Sequence, residues 1–180
     1  RDGVLNTGSP DYINDVGELK VMTGVPEAVG ALRRAGFRVC VVTNQSPIGR
    51  GLWTDKRLAT IHDELEAQLL QADVDAVLDL ILYSPHVPWA GSPFRKPEPG
   101  MLMAARQLLE SSGSIDGIDI EAEFNEARSA MVGDRRSDLR AGKNHGVRVF
   151  HAPEQIGLPA VVNRVLDADD EGDDIMSAPV

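Results

Sequence analysis

The sequence predicts an α/β domain of three layers, in which helices cover both faces of a mainly parallel sheet. Short runs rich in β-branched residues alternate with longer amphipathic segments, which is typical of parallel β-α-β units. The 180 residues are enough for one compact domain with a sizeable core. Strands are predicted at 38–43, 77–83, 129–132 and 147–150, and helices at 24–35, 54–71, 99–111 and 137–144.

End signals and periodicity support the elements in the first half of the chain. Gly36 ends the first helix, and the apolar run RVCVVT that follows predicts a buried strand. Thr54 is placed to cap the second helix. Apolar residues three or four positions apart predict the buried face of this helix: Leu58, Ile61, Leu65 and Leu69.

The third predicted helix begins near a proline, which the first turn of a helix tolerates. Its apolar residues are expected to point inward: Met101, Leu102, Ala105 and Leu108. The segment 112–128 that follows is an acidic connector, and a helix from Glu121 is left open there.

Both ends of the sequence depart from the regular pattern. Arg1 opens directly into the loop-like sequence DGVLN, so we expect the first strand of the sheet to be truncated. From Ala168 onward the chain is acidic with few large apolar groups, a composition that favours disorder. We therefore expect a domain at 1–152, and at 153–180 a C-terminal helix with a disordered acidic tail.

Charge and composition exclude several classes of partner. The formal net charge of −10 disfavours nucleic acid and anionic membranes, because like charges repel. The single cysteine, Cys40, excludes an intramolecular disulfide and a cysteine-rich metal site. No segment is long and apolar enough to span a membrane. We expect a cytoplasmic protein, a monomer or weak dimer, that binds a small phosphorylated metabolite.

Polar and charged residues follow the predicted strands at the point where each strand ends. The first strand leads into Asn44-Gln45-Ser46, and the second into Arg95-Lys96. Gly133-Asp134 follows the third strand, and Asp2 lies at the front of the chain. Carboxylates hold Mg²⁺ through hard oxygen ligands, and basic or amide donors stabilise phosphoryl oxygens. If these loops meet at one edge of the sheet, the combination suits phosphoryl transfer.

Four segments in order resemble the four motifs of the haloacid dehalogenase (HAD) superfamily: RDGVLN, VVTNQSPIGRG, RKPEPGM and MVGDRRSDLRAG. The nearest resemblance is to subfamily IIIA, in the branch that contains heptose 1,7-bisphosphate and histidinol-phosphate phosphatases. It covers about residues 1–151. Any one of these motifs is a weak signal, whereas four in order are specific. The resemblance implies a HAD-like, Rossmann-like fold and a phosphatase active in carbohydrate metabolism.

The resemblance also implies a role for individual residues. The nucleophile would be an aspartate directly before Arg1, so we expect the 180 residues alone to be inactive. Asp2 matches the acid/base aspartate, and Thr43 and Lys96 match the groups that hold the phosphoryl oxygens. The expected substrate contacts are Asn44, Gln45, Ser46, Arg95 and Arg135. The expected Mg²⁺ ligands are Asp2 through its backbone carbonyl, Asp134, and Asp138 as a ligand or as a support for the ligands.

One loop departs from the pattern of this branch, in which cysteines and a histidine before the Arg-Lys-Pro motif often hold zinc. Here the loop is YSPHVPWAGSPFRKP, with His86 where the histidine falls. Ser84, Ser92 and Phe94 occupy the expected cysteine positions. We expect no structural zinc, because such a site needs four nitrogen or sulfur ligands. The change leaves the identity of the substrate open.

The implied reaction is Mg²⁺-dependent hydrolysis of a small sugar phosphate through an aspartyl phosphate. Heptose 1,7-bisphosphate is the first candidate substrate and histidinol phosphate the second. Two other classes stay open, a non-catalytic binding module and phosphoryl transfer to an acceptor other than water. We interpret Trp89 as a packing residue, with a pocket-wall role for it and a substrate contact by Arg50 as alternatives.

Overall fold

The computed structural model of the protein describes residues 1–112, 125 and 127–180. Four strands form, at Cys40–Asn44 (β1), Leu80–Ser84 (β2), Ala130–Gly133 (β3) and Arg148–His151 (β4). The helices are Val25–Arg34 (α1), Ser46–Gly49 (α2), Asp55–Ala72 (α3), Gly100–Ser112 (α4), Arg136–His145 (α5) and Val162–Leu166 (α6). The helix left open from Glu121 lies outside the described residues.

All strand pairs are parallel, as the sequence predicted. β1 pairs with β2 in the register Thr43↔Tyr83. β3 pairs with β4 in the register Met131↔Val149. The two pairs are separate two-stranded sheets within the described residues. The α/β fold with parallel strands is therefore confirmed.

Alternate residues of the strands pack into different core clusters, and this produces the layers. Val41 and Phe150 belong to one cluster, which contains apolar residues of α1, α3 and α6. Val42 and Val149 belong to the other, which contains residues of α4 and α5. Helices therefore cover both faces of the strands. Within the described part of the chain, no helix combines the length and the apolar character of a membrane span.

The long helix forms as its sequence signals indicate, whereas one prediction for α4 is wrong. The Thr54 hydroxyl accepts a hydrogen bond from the backbone N–H of Arg57 and caps α3. All four apolar residues predicted for its inner face are buried: Leu58, Ile61, Leu65 and Leu69. In α4, Met101 and Ala105 are buried, but Leu108 is 49% exposed. The buried stripe of α4 ends in its second turn, and the third turn carries Leu108 into solvent.

A cavity of about 1340 Å³ lies between the two pairs of strands. Residues of β1 line one side and residues of β3 line the other, and the segment 1–5 lies along it. The cavity continues to the loops that follow the strands at their carboxyl ends. In parallel sheets these ends are where ligands bind.

The prediction of a disordered acidic tail from Ala168 onward is wrong. Arg148, which is buried, donates hydrogen bonds to four backbone carbonyls, among them those of Asp167 and Asp170 at 2.7 and 2.9 Å. Arg164 forms ion pairs of 2.8 Å with Asp170 and with Asp173. The acidic residues are therefore partners of buried and half-buried arginines. A count of charges along the sequence does not reveal such pairing.

The backbone of the tail lies directly against β4. The N–H of Asp173 donates to the carbonyl of Val149 at 2.7 Å. Gly172 has a φ of +82°, and a Cβ at this position would lie 2.5 Å from the same carbonyl oxygen. Further along, the N–H of Arg136 donates to the carbonyl of Pro179 at 2.7 Å, and Ala178 is buried. The tail thus packs on the domain as far as the first turn of α5.

Candidate active site

The loops that follow the strands converge with the front of the chain on the carboxyl end of the cavity. Every site residue that the sequence predicted lines this one cavity: Asp2, Thr43, Asn44, Gln45, Ser46, Arg95, Lys96, Asp134, Arg135 and Asp138. Their common location follows from the parallel topology, because each residue lies at or after the carboxyl end of a strand, or in the segment 1–5.

The carboxylate of Asp2 is held mainly through one oxygen. Its Oδ1 accepts hydrogen bonds from Nε and Nη2 of Arg1, at 3.1 and 2.9 Å, and from Nδ2 of Asn6 at 2.9 Å. Its Oδ2 has a single contact of 3.5 Å, with Nε2 of Gln45. Burial acts to raise the pKa of Asp2, but the Arg1 guanidinium and the Asn6 amide outweigh it, so that the pKa lies below its usual range.

Asn6 is a site residue that the sequence analysis missed. Its side chain is fully buried and donates to both Asp2 and the carbonyl of Thr7. A buried amide within hydrogen-bond reach of a carboxylate fixes the rotamer of that carboxylate. Its place within the DGVLN sequence was the available signal, but only the turn of residues 2–6 brings the two side chains together.

The carboxyl end of β1 and the residue that follows it are joined by side-chain hydrogen bonding. Nε2 of Gln45 donates to Oγ1 of Thr43 at 2.9 Å, and both side chains are buried. The backbone N–H of Gln45 donates to the carbonyl of Ser84 at the end of β2, at 2.8 Å. Because Oγ1 of Thr43 accepts this bond, its own hydrogen stays available to an acceptor in the cavity.

Asn44 ties the end of β1 to the loop that carries Lys96. Its Nδ2 donates to the carbonyl of Lys96 at 3.0 Å, and its Oδ1 accepts from the N–H of Lys96 at 3.1 Å. This reciprocal pair uses both ends of the amide, so Asn44 acts as a backbone clamp. The predicted substrate contact of Asn44 stays a prediction, and its second amide N–H is the donor left for it.

Lys96 is buried against both the sheet and α5. Its ammonium donates to the carbonyl of Val42 at 2.8 Å and forms a 2.8 Å ion pair with Oδ1 of Asp138. Each side chain of the pair is 8% exposed. Oδ2 of Asp138 accepts from the N–H of Arg135 at 3.1 Å, which satisfies a donor at the start of α5.

The two aspartates after β3 differ in pKa because their neighbours differ. Burial acts to raise the pKa of Asp138, but the Lys96 ammonium outweighs it and the pKa lies below its usual range. Burial, together with the negative charge of Asp138, raises the pKa of Asp134 above its usual range. Asp134 therefore occupies a place where further positive charge would be stabilising.

Gly3 lets the front of the chain approach Asp134 closely. Its φ is +73°, and a Cβ at this position would lie 2.5 Å from Oδ2 of Asp134. A side chain at residue 3 would displace that carboxylate as well as strain the backbone. The backbone of residues 2–3 and the carboxylate of Asp134 are thus immediate neighbours.

The remaining predicted basic residues lie toward solvent. Nη1 of Arg95 donates to the carbonyl of His86 at 2.7 Å. The side chain of Arg135 is 68% exposed, and its Nε lies 3.5 Å from Oδ2 of Asp134. Both arginines line the mouth of the cavity, where a polar ligand can reach them.

Comparison with known proteins assigns this chain to a family. The family model described as haloacid dehalogenase-like hydrolase matches residues 9–146. The chain belongs to the haloacid dehalogenase-like hydrolases. The resemblance carried by the four motifs is confirmed.

Relatives and a solved structure extend the similarity over most of this HAD hydrolase. The D-glycero-beta-D-manno-heptose-1,7-bisphosphate 7-phosphatase of Escherichia coli K12 is 35% identical over 159 residues, which cover 83% of this chain and 75% of that protein. The phosphatase of the same name from Pseudomonas aeruginosa PAO1 is 38% identical over 143 residues, with coverages of 79% and 72%. A similar solved structure is the crystal structure of D,D-heptose 1.7-bisphosphate phosphatase from B. bronchiseptica, complexed with magnesium and phosphate. It matches with a TM-score of 0.76 at 28% identity, and the match covers 92% of this chain and 94% of that one. The chain is a phosphatase of the HAD type.

The oxygen atoms near Asp2 and Asp134 fit a magnesium ion that takes few of its ligands from side chains. Within the described residues, no three His, Cys, Asp or Glu side chains are grouped to hold a metal. The Asp2 carbonyl oxygen accepts no hydrogen bond there, and it belongs to the backbone that adjoins Asp134. One carboxylate and one carbonyl, completed by water and phosphate oxygens, is a donor set that suits Mg²⁺.

Asp138 was expected as a metal ligand or as a support for the ligands, and its contacts favour the supporting role. Both of its oxygens are engaged, one by Lys96 and the other by the N–H of Arg135. Its carboxylate therefore supports Lys96 and the first turn of α5. Asp2 likewise offers its carbonyl, because its carboxylate is held by Arg1 and Asn6.

The buried ion pair makes Lys96 and Asp138 energetically dependent on each other. We expect Lys96→Met and Asp138→Asn each to lower the free energy of unfolding by about 3 kcal/mol, because each leaves a buried charge without its partner. The double variant should lose at least about 1 kcal/mol less than the sum of the two single losses. Urea unfolding measures all three.

Lys143→Met is the matched control, because it removes an exposed ammonium from the same helix that carries Asp138. It should change the free energy of unfolding by less than about 0.5 kcal/mol. Strictly additive losses in the double variant would show that the two groups are not coupled.

Proposed function

We propose that this phosphatase hydrolyses a heptose 1,7-bisphosphate with Mg²⁺ and through an aspartyl-phosphate intermediate. The convergence of Asp2, Thr43, Lys96 and Asp134 on one cavity carries the proposal. Catalysis of phosphoryl transfer consists mainly of positioning and of stabilising negative charge, and these four residues supply both. The sugar is proposed from the relatives at 35% and 38% identity, which bear the name of that phosphatase.

The nucleophile of this mechanism is an aspartate directly before Arg1. The cavity between β1 and β3 is lined by both strands and reaches Arg1. A strand that runs between them, parallel to both, and ends at Arg1 would bring the preceding residue to the edge where Thr43 and Asp134 lie. The carboxylate of that residue attacks phosphorus, and the bond from phosphorus to the sugar oxygen breaks.

Asp2 moves the proton in both half-reactions. It gives a proton to the departing sugar oxygen, and then takes one from the water that attacks the aspartyl phosphate. Arg1 and Asn6 hold Oδ1, which leaves Oδ2 as the freer oxygen. The pKa of Asp2 is below its usual range because of Arg1, and a bound phosphoryl anion acts in the opposite direction.

The other groups hold the phosphoryl oxygens while charge shifts among them. The Lys96 ammonium is fixed by Val42 and Asp138 and stabilises the oxygens electrostatically. Thr43 donates its free hydroxyl hydrogen to one of them. Mg²⁺, held by the Asp134 carboxylate and the Asp2 carbonyl, supplies a compensating positive charge when bound.

Asp2→Asn tests the acid/base role in the protein that carries the aspartate before Arg1. We expect kcat to fall by about 10²–10⁴-fold, because the amide cannot exchange a proton with the sugar oxygen or with water. Phosphate release at saturating substrate measures it. Asp63→Asn, on the exposed face of α3, is the matched control and should leave kcat unchanged. Wild-type turnover in Asp2→Asn would exclude the assignment.

Metal removal distinguishes a requirement for Mg²⁺ from a requirement for zinc, the two metals used in this branch of phosphatases. We expect EDTA to abolish phosphate release and Mg²⁺ alone to restore it, because the donor set at Asp2 and Asp134 consists of oxygens. A chelator selective for zinc should leave the rate unchanged, since the loop at 84–94 lacks the cysteines of a zinc site. Loss of activity with that chelator would contradict the absence of zinc.

A substrate panel tests the sugar. We expect kcat/KM for heptose 1,7-bisphosphate to exceed that for histidinol phosphate by about tenfold or more, since discrimination of this size needs only about 1.4 kcal/mol. The altered loop at 84–94 makes the comparison informative. Preference for histidinol phosphate would reassign the substrate, and product transfer to an added sugar would reveal a phosphotransferase. A protein that carries the aspartate before Arg1 and turns over none of the panel would instead be a binding module.

A further inference from the structure

An exposed tryptophan borders the cavity, because its neighbour Pro88 and the arginine that contacts its ring, Arg50, both line the cavity. Trp89 is 77% exposed, so its interpretation as a packing residue is wrong. It lies in the short 3₁₀ turn Pro88–Ala90, in the loop before Lys96. The guanidinium of Arg50 lies over its ring, 5.5 Å from the centroid. In contrast, the other tryptophan, Trp53, is buried and hydrogen-bonded to Asn14.

The positive charge of Arg50 acts on a second guanidinium, that of Arg95. Both residues line the cavity, as Thr43 and Lys96 do. Within the described residues, neither arginine forms an ion pair with a carboxylate, although Arg95 donates to the carbonyl of His86. Burial and the charge of Arg50 together lower the pKa of Arg95. Two like charges held together without a counter-charge form a place where an anion is stabilised.

The contact with Trp89 restrains an otherwise exposed side chain. Arg50 is exposed and has many rotamers in solution, and ordering it on a ligand opposes binding. A guanidinium that already lies on an aromatic face has lost part of that freedom before the ligand arrives. Trp89 therefore restrains Arg50 at the edge of the cavity.

We propose that Arg50, together with Arg95, binds the second, non-reacting anionic group of the substrate, and that Trp89 is the positioning residue for Arg50. Guanidinium groups suit this role, because their planar fork donates two parallel hydrogen bonds to one phosphate. The inference rests on the proposed function, since it requires a substrate with two phosphates. Arg50 and Trp89 then determine the preference of the enzyme for bisphosphate over monophosphate substrates.

The test compares matched substrates that differ only in the second phosphate: heptose 1,7-bisphosphate with heptose 7-phosphate, and fructose 1,6-bisphosphate with fructose 6-phosphate. In the protein that carries the aspartate before Arg1, Arg50→Gln should lower kcat/KM for the bisphosphates by roughly 10–100-fold, mainly through KM. The monophosphates should change by less than about twofold, because they lack the group that Arg50 holds. Arg57→Gln is the control, since it removes an exposed charge that does not line the cavity.

A double-mutant cycle tests the positioning role of Trp89. Trp89→Leu should lower kcat/KM for bisphosphates by about threefold to fivefold when Arg50 is present, and by less than about 1.5-fold in the Arg50→Gln background. Trp89→Phe, which keeps an aromatic face, should restore most of the loss. A purely structural role would lower kcat/KM for monophosphates and bisphosphates alike.

Two outcomes would overturn the inference: an equal effect of Arg50→Gln on both members of a substrate pair, or an effect of Trp89→Leu that is the same with and without Arg50. The proposed function can fail while the inference about the anion subsite holds. If heptose 1,7-bisphosphate is a poor substrate but the Arg50-dependent preference holds for the fructose pair, the sugar is wrong and the anion subsite stands.

Discussion

The buried ammonium of Lys96 holds together the segments that form the cavity. It bonds to the carbonyl of Val42 within β1 and to Asp138 in the first turn of α5, while its backbone is clamped by Asn44. One residue thus connects the loop after β2, the end of β1 and the start of α5. A buried cation with fixed partners costs little reorganisation when a phosphate arrives. The same contacts that position the site are therefore also contacts that keep the two strand pairs in place.

The cavity has a charge balance that the whole chain does not share. The formal net charge is −10, yet cationic side chains outnumber carboxylates among the described residues that line the cavity. Part of the excess negative charge is neutralised in the tail, where Asp170 and Asp173 pair with Arg164. Acidic surfaces elsewhere repel polyanions, while the locally basic cavity attracts a small one. A negative net charge thus disfavours nucleic acid and is still compatible with a small phosphorylated ligand.

The strands and the main helices were predictable because their signals are local. β-branched runs, Thr54 as a cap and the apolar stripe of α3 act within a few residues, and the structure has them where the sequence indicated. The location of the site was also predictable, since parallel strands bring their following loops to one edge. The partners of each side chain were not. Asn6 against Asp2, Asn44 against the Lys96 backbone and Arg148 against the tail depend on distances that only the folded chain sets.

Exposure was the least predictable property, because it depends on what the rest of the chain covers. Leu108 follows the helical stripe of α4 but lies beyond the surface that the stripe packs on, and Trp89 is apolar but exposed. Conversely, the tail looks polar enough to stay in solvent, yet buried arginines give its carbonyls and carboxylates partners. Hydrophobic patterning considers each residue by itself, whereas the burial of a residue depends on the residues that pack against it.

The position of the tail along β4 also bears on how the protein behaves at high concentration. β4 pairs with β3 on one side, and on the other Asp173 bonds to Val149 and, through its carboxylate, accepts from the N–H of His151. An uncovered strand edge is a template for pairing with another molecule. Gly172 and Asp173 occupy that edge with a positive-φ turn and a side-chain carboxylate in place of a further strand. The acidic segment therefore occupies hydrogen-bonding positions of β4 that the strand of another molecule would need.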